Sequence, residues 1–189
     1  MNSIFQVFST AVPVWEQALR QVSWFQGIIA MAYFGVAWLC LLNAHIAKGV
    51  LEAHFIWYVT AGILCVLGAN TILHGDVFVT HVFRSAAKLE GWYGQRRLAQ
   101  YLVISGLTLL ALVAAHWLRS EFTACDVPSE SVVWGLVALV IILLVRTVSA
   151  HGTDAVINHH VAGISLGRLF EFAGIGLVLH GTLICLRMR

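Results

Sequence analysis

Apolar residues run along this chain in long blocks, and the polar positions collect in short stretches between them. Five blocks approach the roughly 20 residues that a helix needs to cross a hydrocarbon core of about 30 Å. They are Trp24–Asn43, Phe55–Leu73, Tyr101–Leu118, Val132–Ser149 and Leu169–Leu186. None alternates with the period of two expected of a barrel strand. A helix that satisfies its own backbone is the other way through lipid. The pattern predicts an all-α integral membrane protein, a five-span transmembrane helix bundle forming a single domain over residues 1–189.

After the second block, Val77, Phe78, Val82, Phe83, Ala86 and Ala87 recur at helical spacing, with Thr80, Arg84, Ser85 and Lys88 on the other side. This predicts a short amphipathic surface helix ended by Gly91. The first 20 residues, with Pro13, Glu16 and Arg20, lack the basic start and short apolar stretch of a cleaved signal, so an interfacial segment is expected. Residues Ser149–Asn158 are expected to prolong the fourth span before a turn between Gly163 and Gly167.

Composition agrees with the pattern. The chain is 60% hydrophobic and 11% charged, with a mean hydropathy of +0.86, whereas soluble domains carry about 25% charged residues. A soluble enzyme and a disordered tail are excluded, and a net charge of +2 is too small for a nucleic-acid footprint. Charge also orients the chain. Arg84, Lys88, Arg96 and Arg97 dominate the connection Gly75–Gln100, while Glu121, Asp126 and Glu130 dominate Arg119–Ser131. Basic connections stay on the cytoplasmic side. The N-terminus is therefore expected inside the cell (inner) membrane and the C-terminus outside, with Arg187 and Arg189 against the trend. Trp24, Trp57, Trp92, Trp117 and Trp134 fall near span ends, as an aromatic belt requires.

Nine histidines in so apolar a chain demand a reason, because ionisable groups at membrane depth are costly unless paired or hydrated. His74, His81, His151, His159 and His160 fall toward the inner side with Asp76 and Asp154. His74 and His81 are two helical turns apart, and His151 and Asp154 share a face at a spacing of three. Together, His74, His81, His151 and Asp154 would suit a transition metal such as zinc, copper or iron. Asp154 is alternatively an orienting partner of His151, and Glu171 or Asp76 an outer base. Toward the outer side, His45, His116 and His180 are alternative ligands for heme b or a chlorophyll-type pigment. Water, carbonyls and lipid head groups also satisfy such imidazoles, with no cofactor bound.

Arg146 and Glu171 fall at similar depth on antiparallel neighbours and are expected to form a structural ion pair, with a proton relay through His151 as the alternative. Asn43 and Asn70 are read as interhelical hydrogen-bonding groups. Gly27, Gly62, Gly68, Gly135, Gly174, Gly176 and Gly181 are read as sites of close helix approach. Cys125 is placed where it could meet Cys185, and no CxxC or CxxCH motif is present.

Leu67-Gly68-Ala69-Asn70, Gly91-Trp92-Tyr93-x-x-Arg96-Arg97-x-x-Gln100, Ser149-x-His151-x-x-Asp154 and the Arg-x-x-Glu171 start of the last span form a series. The series resembles a family of uncharacterised bacterial multi-span integral membrane proteins over roughly residues 30–186. The resemblance implies acidic residues where this chain has His74 and His81, and implies no activity. The favoured expectation is a metal or cofactor centre near the cytoplasmic face, redox or hydrolytic. The alternative is a non-catalytic accessory or assembly subunit of a larger membrane complex or homo-oligomer, with Trp92, Tyr93, Arg96 and Arg97 contacting lipid or a partner.

Overall fold

The apolar blocks become long helices in the computed structural model, which describes residues 2–46, 51–124, 130–148, 159–161 and 164–188. The helices are α1 (Asn2–Arg20), α2 (Trp24–Ile46), α3 (Leu51–Leu73), α4 (Gly75–Leu89), α5 (Arg96–Ala124), α6 (Glu130–Val148) and α7 (Leu166–Arg187). A 3-10 turn at Trp92–Gln95 leads into α5, and a two-residue antiparallel pair, β1 (His160–Val161) with β2 (Ile164–Ser165), precedes α7.

Four segments are long and apolar enough to cross a membrane: Trp24–Ile46, His54–Leu73, Glu130–Thr147 and Leu166–Arg187. The expected fifth block lies within α5, whose described apolar stretch is only Ser105–Trp117. The turn expected between Gly163 and Gly167 also differs. The helix begins at Leu166, so Gly167 is a buried residue of its first turn.

Two antiparallel hairpins make the core, α2 with α3 and α6 with α7, and α2 packs on α7 to join them. Ile29, Tyr33, Trp57, Leu64, Val132, Leu139 and Val178 are enclosed between them. Between apolar helices in lipid, close packing replaces the hydrophobic effect as the source of association. It is tightest where α6 crosses α7. A Cβ on Gly135 would lie 2.8 Å from the Gly174 carbonyl oxygen and 2.9 Å from the Val178 nitrogen, and one on Gly181 would lie 2.5 Å from Val132 Cγ2. Gly68 similarly admits Tyr33 and Phe34, but Gly27, Gly62 and Gly176 face open space and no described helix of this chain approaches them. Trp24, Trp117 and Trp134 are exposed as belt residues should be, whereas Trp57 is fully buried and belongs to the core.

The end of the bundle that carries α1 and α4, termed the basal end, is held by aromatic and polar contacts. Phe78 of α4 stacks against Phe8 and Trp15 of α1 with ring centroids 6.1 and 5.3 Å apart. Thr10 donates to Ser85 at 2.8 Å. The Trp15 indole donates at 2.6 Å to the Leu73 carbonyl, one of the C-terminal carbonyls of α3 that its own helix leaves unpaired. The expected apolar stripe of α4 is consequently divided. Ala87 is buried, Phe83 is exposed, and the polar Asp76 and Thr80 turn toward the bundle.

The α6–α7 crossing yields a stability prediction. Gly135→Ala must push backbone and Val178 apart and should cost on the order of 1–3 kcal/mol. Gly176→Ala, with nothing within 4 Å, should stay within about 0.5 kcal/mol of wild type. Denaturant titration in detergent micelles measures both, and equal losses would contradict the assigned crossing.

Candidate functional site

The charged cluster inside the bundle grows from a break in the chain. The segment Asn70–Asp76 must leave α3 and start α4 across one residue, His74, which adopts the left-handed conformation (φ 50°, ψ 41°). That conformation is uncommon for a residue with a Cβ. Asn70 secures the turn: its side-chain oxygen accepts from the Asp76 backbone N–H at 3.1 Å, supplying a partner for one of the orphan donors at the start of α4. A Cβ at position 75 would lie 2.8 Å from that same oxygen, so a larger residue there would displace the Asn70 side chain from the turn. The His74 ring, packed inward, lies 3.5 Å from the Gln26 amide of α2.

The break turns the Asp76 carboxylate into the bundle, where Arg146 of α6 meets it. Arg146 Nε is 3.7 Å from Asp76 Oδ2, and Arg146 Nη1 is 3.4 Å from Glu171 Oε2 on α7. Tyr33 of α2 donates its hydroxyl to Glu171 Oε1 at 3.0 Å. The two carboxylate side chains are only 9% and 6% exposed, while Arg146 is 33% exposed. One guanidinium therefore links two nearly buried carboxylates, and the four groups come from α2, α4, α6 and α7. A cleft of about 10 Å³ opens beside them, lined by Tyr33, Asn70, Thr71, Arg146 and Glu171. It has space for about one water molecule.

The structure thus brings Arg146 and Glu171 together and adds Asp76, Tyr33 and Asn70. A hydroxyl at the midpoint of an apolar block was the available signal for Tyr33. For Asp76 the signal was its place directly after the end of a span. Asn43 bonds between helices, donating to the Thr182 carbonyl of α7 at 3.0 Å, whereas Asn70 serves the turn.

Of the expected metal ligands, only His74 and His81 lie among the described residues. The chain bend separates His74 from the regular helix that carries His81, so the two do not share one continuous helical face. His151 and Asp154 lie outside the described residues, as does Cys125. No group of three His, Cys, Asp or Glu side chains able to hold a metal ion occurs among the described residues. His45, His116 and His180 are each exposed, on three different helices. Tyr93 lies under Lys88, whose ammonium is 5.5 Å from the ring centroid. The side chains of Trp92, Arg96 and Arg97 are outside the described set. No protein-family model, curated protein or solved structure matches the chain.

His81 on α4 has a depressed pKa, first through burial and then through the neighbouring Arg84 and Lys88 charges. The folded protein therefore holds less proton on this ring than the unfolded chain near the ordinary value of 6.5. Its contribution to stability is present at neutral pH and is lost as the pH falls through that value. An NMR titration of the His81 ring should give a midpoint below 6.5, moving up but not fully restored in Arg84→Gln/Lys88→Gln. A wild-type midpoint at or above that value would contradict the assignment.

Proposed function

We propose that this is a five-span inner-membrane protein, N-terminus in the cytoplasm, that works as a non-catalytic subunit of a larger membrane assembly. The fifth span in this reading is α5, whose polar ends would reach the two interfaces. The basic residues Arg84, Lys88, Arg96 and Arg97 support placing the basal end on the cytoplasmic side, with α1 and α4 along that surface.

The observation that carries the subunit reading is the outward exposure of imidazoles at depth. His180 lies about 21 Å along α7 from its first residue, at a rise of about 1.5 Å per residue. It occupies the centre of the exposed arc formed by Ala173, Gly176, Leu177 and Leu183. His116 stands likewise within the exposed arc of α5, whose more buried positions among the described side chains are Thr108, Ala111 and Ala115. Imidazoles left against acyl chains would be costly. A partner transmembrane helix bearing hydrogen-bonding side chains would satisfy them, each such bond contributing about 0.6–2 kcal/mol. The small residues Ala173 and Gly176 beside His180 would let that helix approach closely.

The buried centre has the role of a scaffold in this account. Arg146 ties α4, α6 and α7 together and keeps the surface that meets the partner in one shape. Native mass measurement of the protein in nanodiscs formed directly from its membrane should find it in an assembly larger than one 20.8 kDa chain. Replacing His116 and His180 by Leu should release the folded monomer. A wild-type protein that is monomeric, or an assembly indifferent to the double replacement, would overturn the reading.

A further inference from the structure

The flanks of α4 carry chemistry that the bundle does not use. Helical geometry turns each residue about 100° from the last. On that wheel Asp76, Thr80 and Ala87 face the bundle, and Phe78 and Ser85 face α1. Two opposite flanks remain. One presents the exposed Val79 and Phe83, and the other presents the exposed Arg84 and Lys88 beside His81. A helix free in water would gain nothing by exposing a phenylalanine at 64%. A helix lying at a membrane surface has one flank against acyl chains and the other among the phosphates.

We infer that α4 is a binding site for anionic phospholipid, with Phe83 and Val79 against the acyl chains and Arg84 and Lys88 on the phosphate. Three observations select a lipid as the occupant. First, α4 starts one residue after the end of α3, an apolar segment long enough to span, so it begins at the level where head groups lie. Second, α1 extends the same surface and exposes Phe5 at 76% and Phe8 at 44%, with Arg20 exposed at its last turn. Third, the flanks are segregated, aliphatic and aromatic on one side and cationic on the other, which matches the layering of a leaflet.

Charge complementarity selects an anionic head group over a zwitterionic one. Arg84 and Lys88 are four residues apart on one face, where neighbouring side chains converge, and a phosphate between them would be bound by two cations. The Lys88 ammonium also lies over the Tyr93 ring, which holds it beside the 3-10 turn that leads toward Arg96 and Arg97. The site requires the chain to lie in a membrane and does not depend on the subunit role.

The test uses the full chain in detergent micelles with phosphatidylglycerol or phosphatidylcholine added in equal amounts, and counts retained lipids by native mass spectrometry. Wild type should retain phosphatidylglycerol in preference to phosphatidylcholine. Each cation near an anionic surface is worth about a fivefold change in affinity. Arg84→Gln/Lys88→Gln should therefore weaken phosphatidylglycerol retention about 25-fold, on the same per-charge estimate, and leave phosphatidylcholine unchanged. Both replacements are at exposed positions, and circular dichroism of the same samples checks that the fold is retained. Equal retention of the two lipids by wild type, or a preference that survives in the folded double variant, would overturn the inference.

Discussion

A single guanidinium organises this molecule. Arg146 reaches Asp76 from one side and Glu171 from the other, and through them it joins the surface helix α4 to the hairpin of α6 and α7. Tyr33 brings in α2 by its bond to Glu171. Within the apolar body, contacts between leucine-like side chains distinguish little between protein and lipid surroundings, so register rests on the few close glycine contacts and on the polar groups. Oppositely charged groups away from water differ from each other and from lipid, and leaving one without its partner costs several kcal/mol. The centre therefore fixes which faces of four helices meet, while the glycines at the α6–α7 crossing let them meet closely.

The bend at His74 is the local condition for this arrangement. Were α3 to continue as one helix, Asp76 would follow the helix axis away from Arg146. The left-handed residue, the small Gly75 and the Asn70 oxygen on the Asp76 N–H redirect the chain within one turn. The same bend lays α4 across the end of the bundle, where its aromatic contacts with α1 close the basal surface. A polar interior and an amphipathic exterior are thus consequences of one short segment.

Much of this could be read from residue order, and the exceptions have physical causes. Long apolar blocks report helices at membrane depth because composition is what lipid selects. Depth matching likewise paired Arg146 with Glu171. The end of the second block at Leu73 was legible, but the Asp76 contact was not, because residue order does not give the direction in which α4 leaves the bend at His74. The presence of a glycine in α6 or α7 does not reveal which way it faces, so Gly135 and Gly174 meet while Gly176 faces outward. Trp57 resembles a belt residue by position along the chain but faces inward by its angle on the helix.

The exposed imidazoles and the α4 flanks extend the same logic from the interior to the surface. The bundle satisfies polar groups at the Arg146 centre and at Asn43, while exposed ones on α5, α7 and α4 are left to its surroundings. The claim on which the rest stands is that Arg146 and Glu171 act as one energetic unit, and a double-mutant cycle measures that directly. Arg146→Met, Glu171→Gln and the double variant would be unfolded by denaturant in micelles. The account predicts that the double variant loses less than the sum of the singles, with a coupling of about 1 kcal/mol or more. Losses that add to within about 0.5 kcal/mol would contradict it.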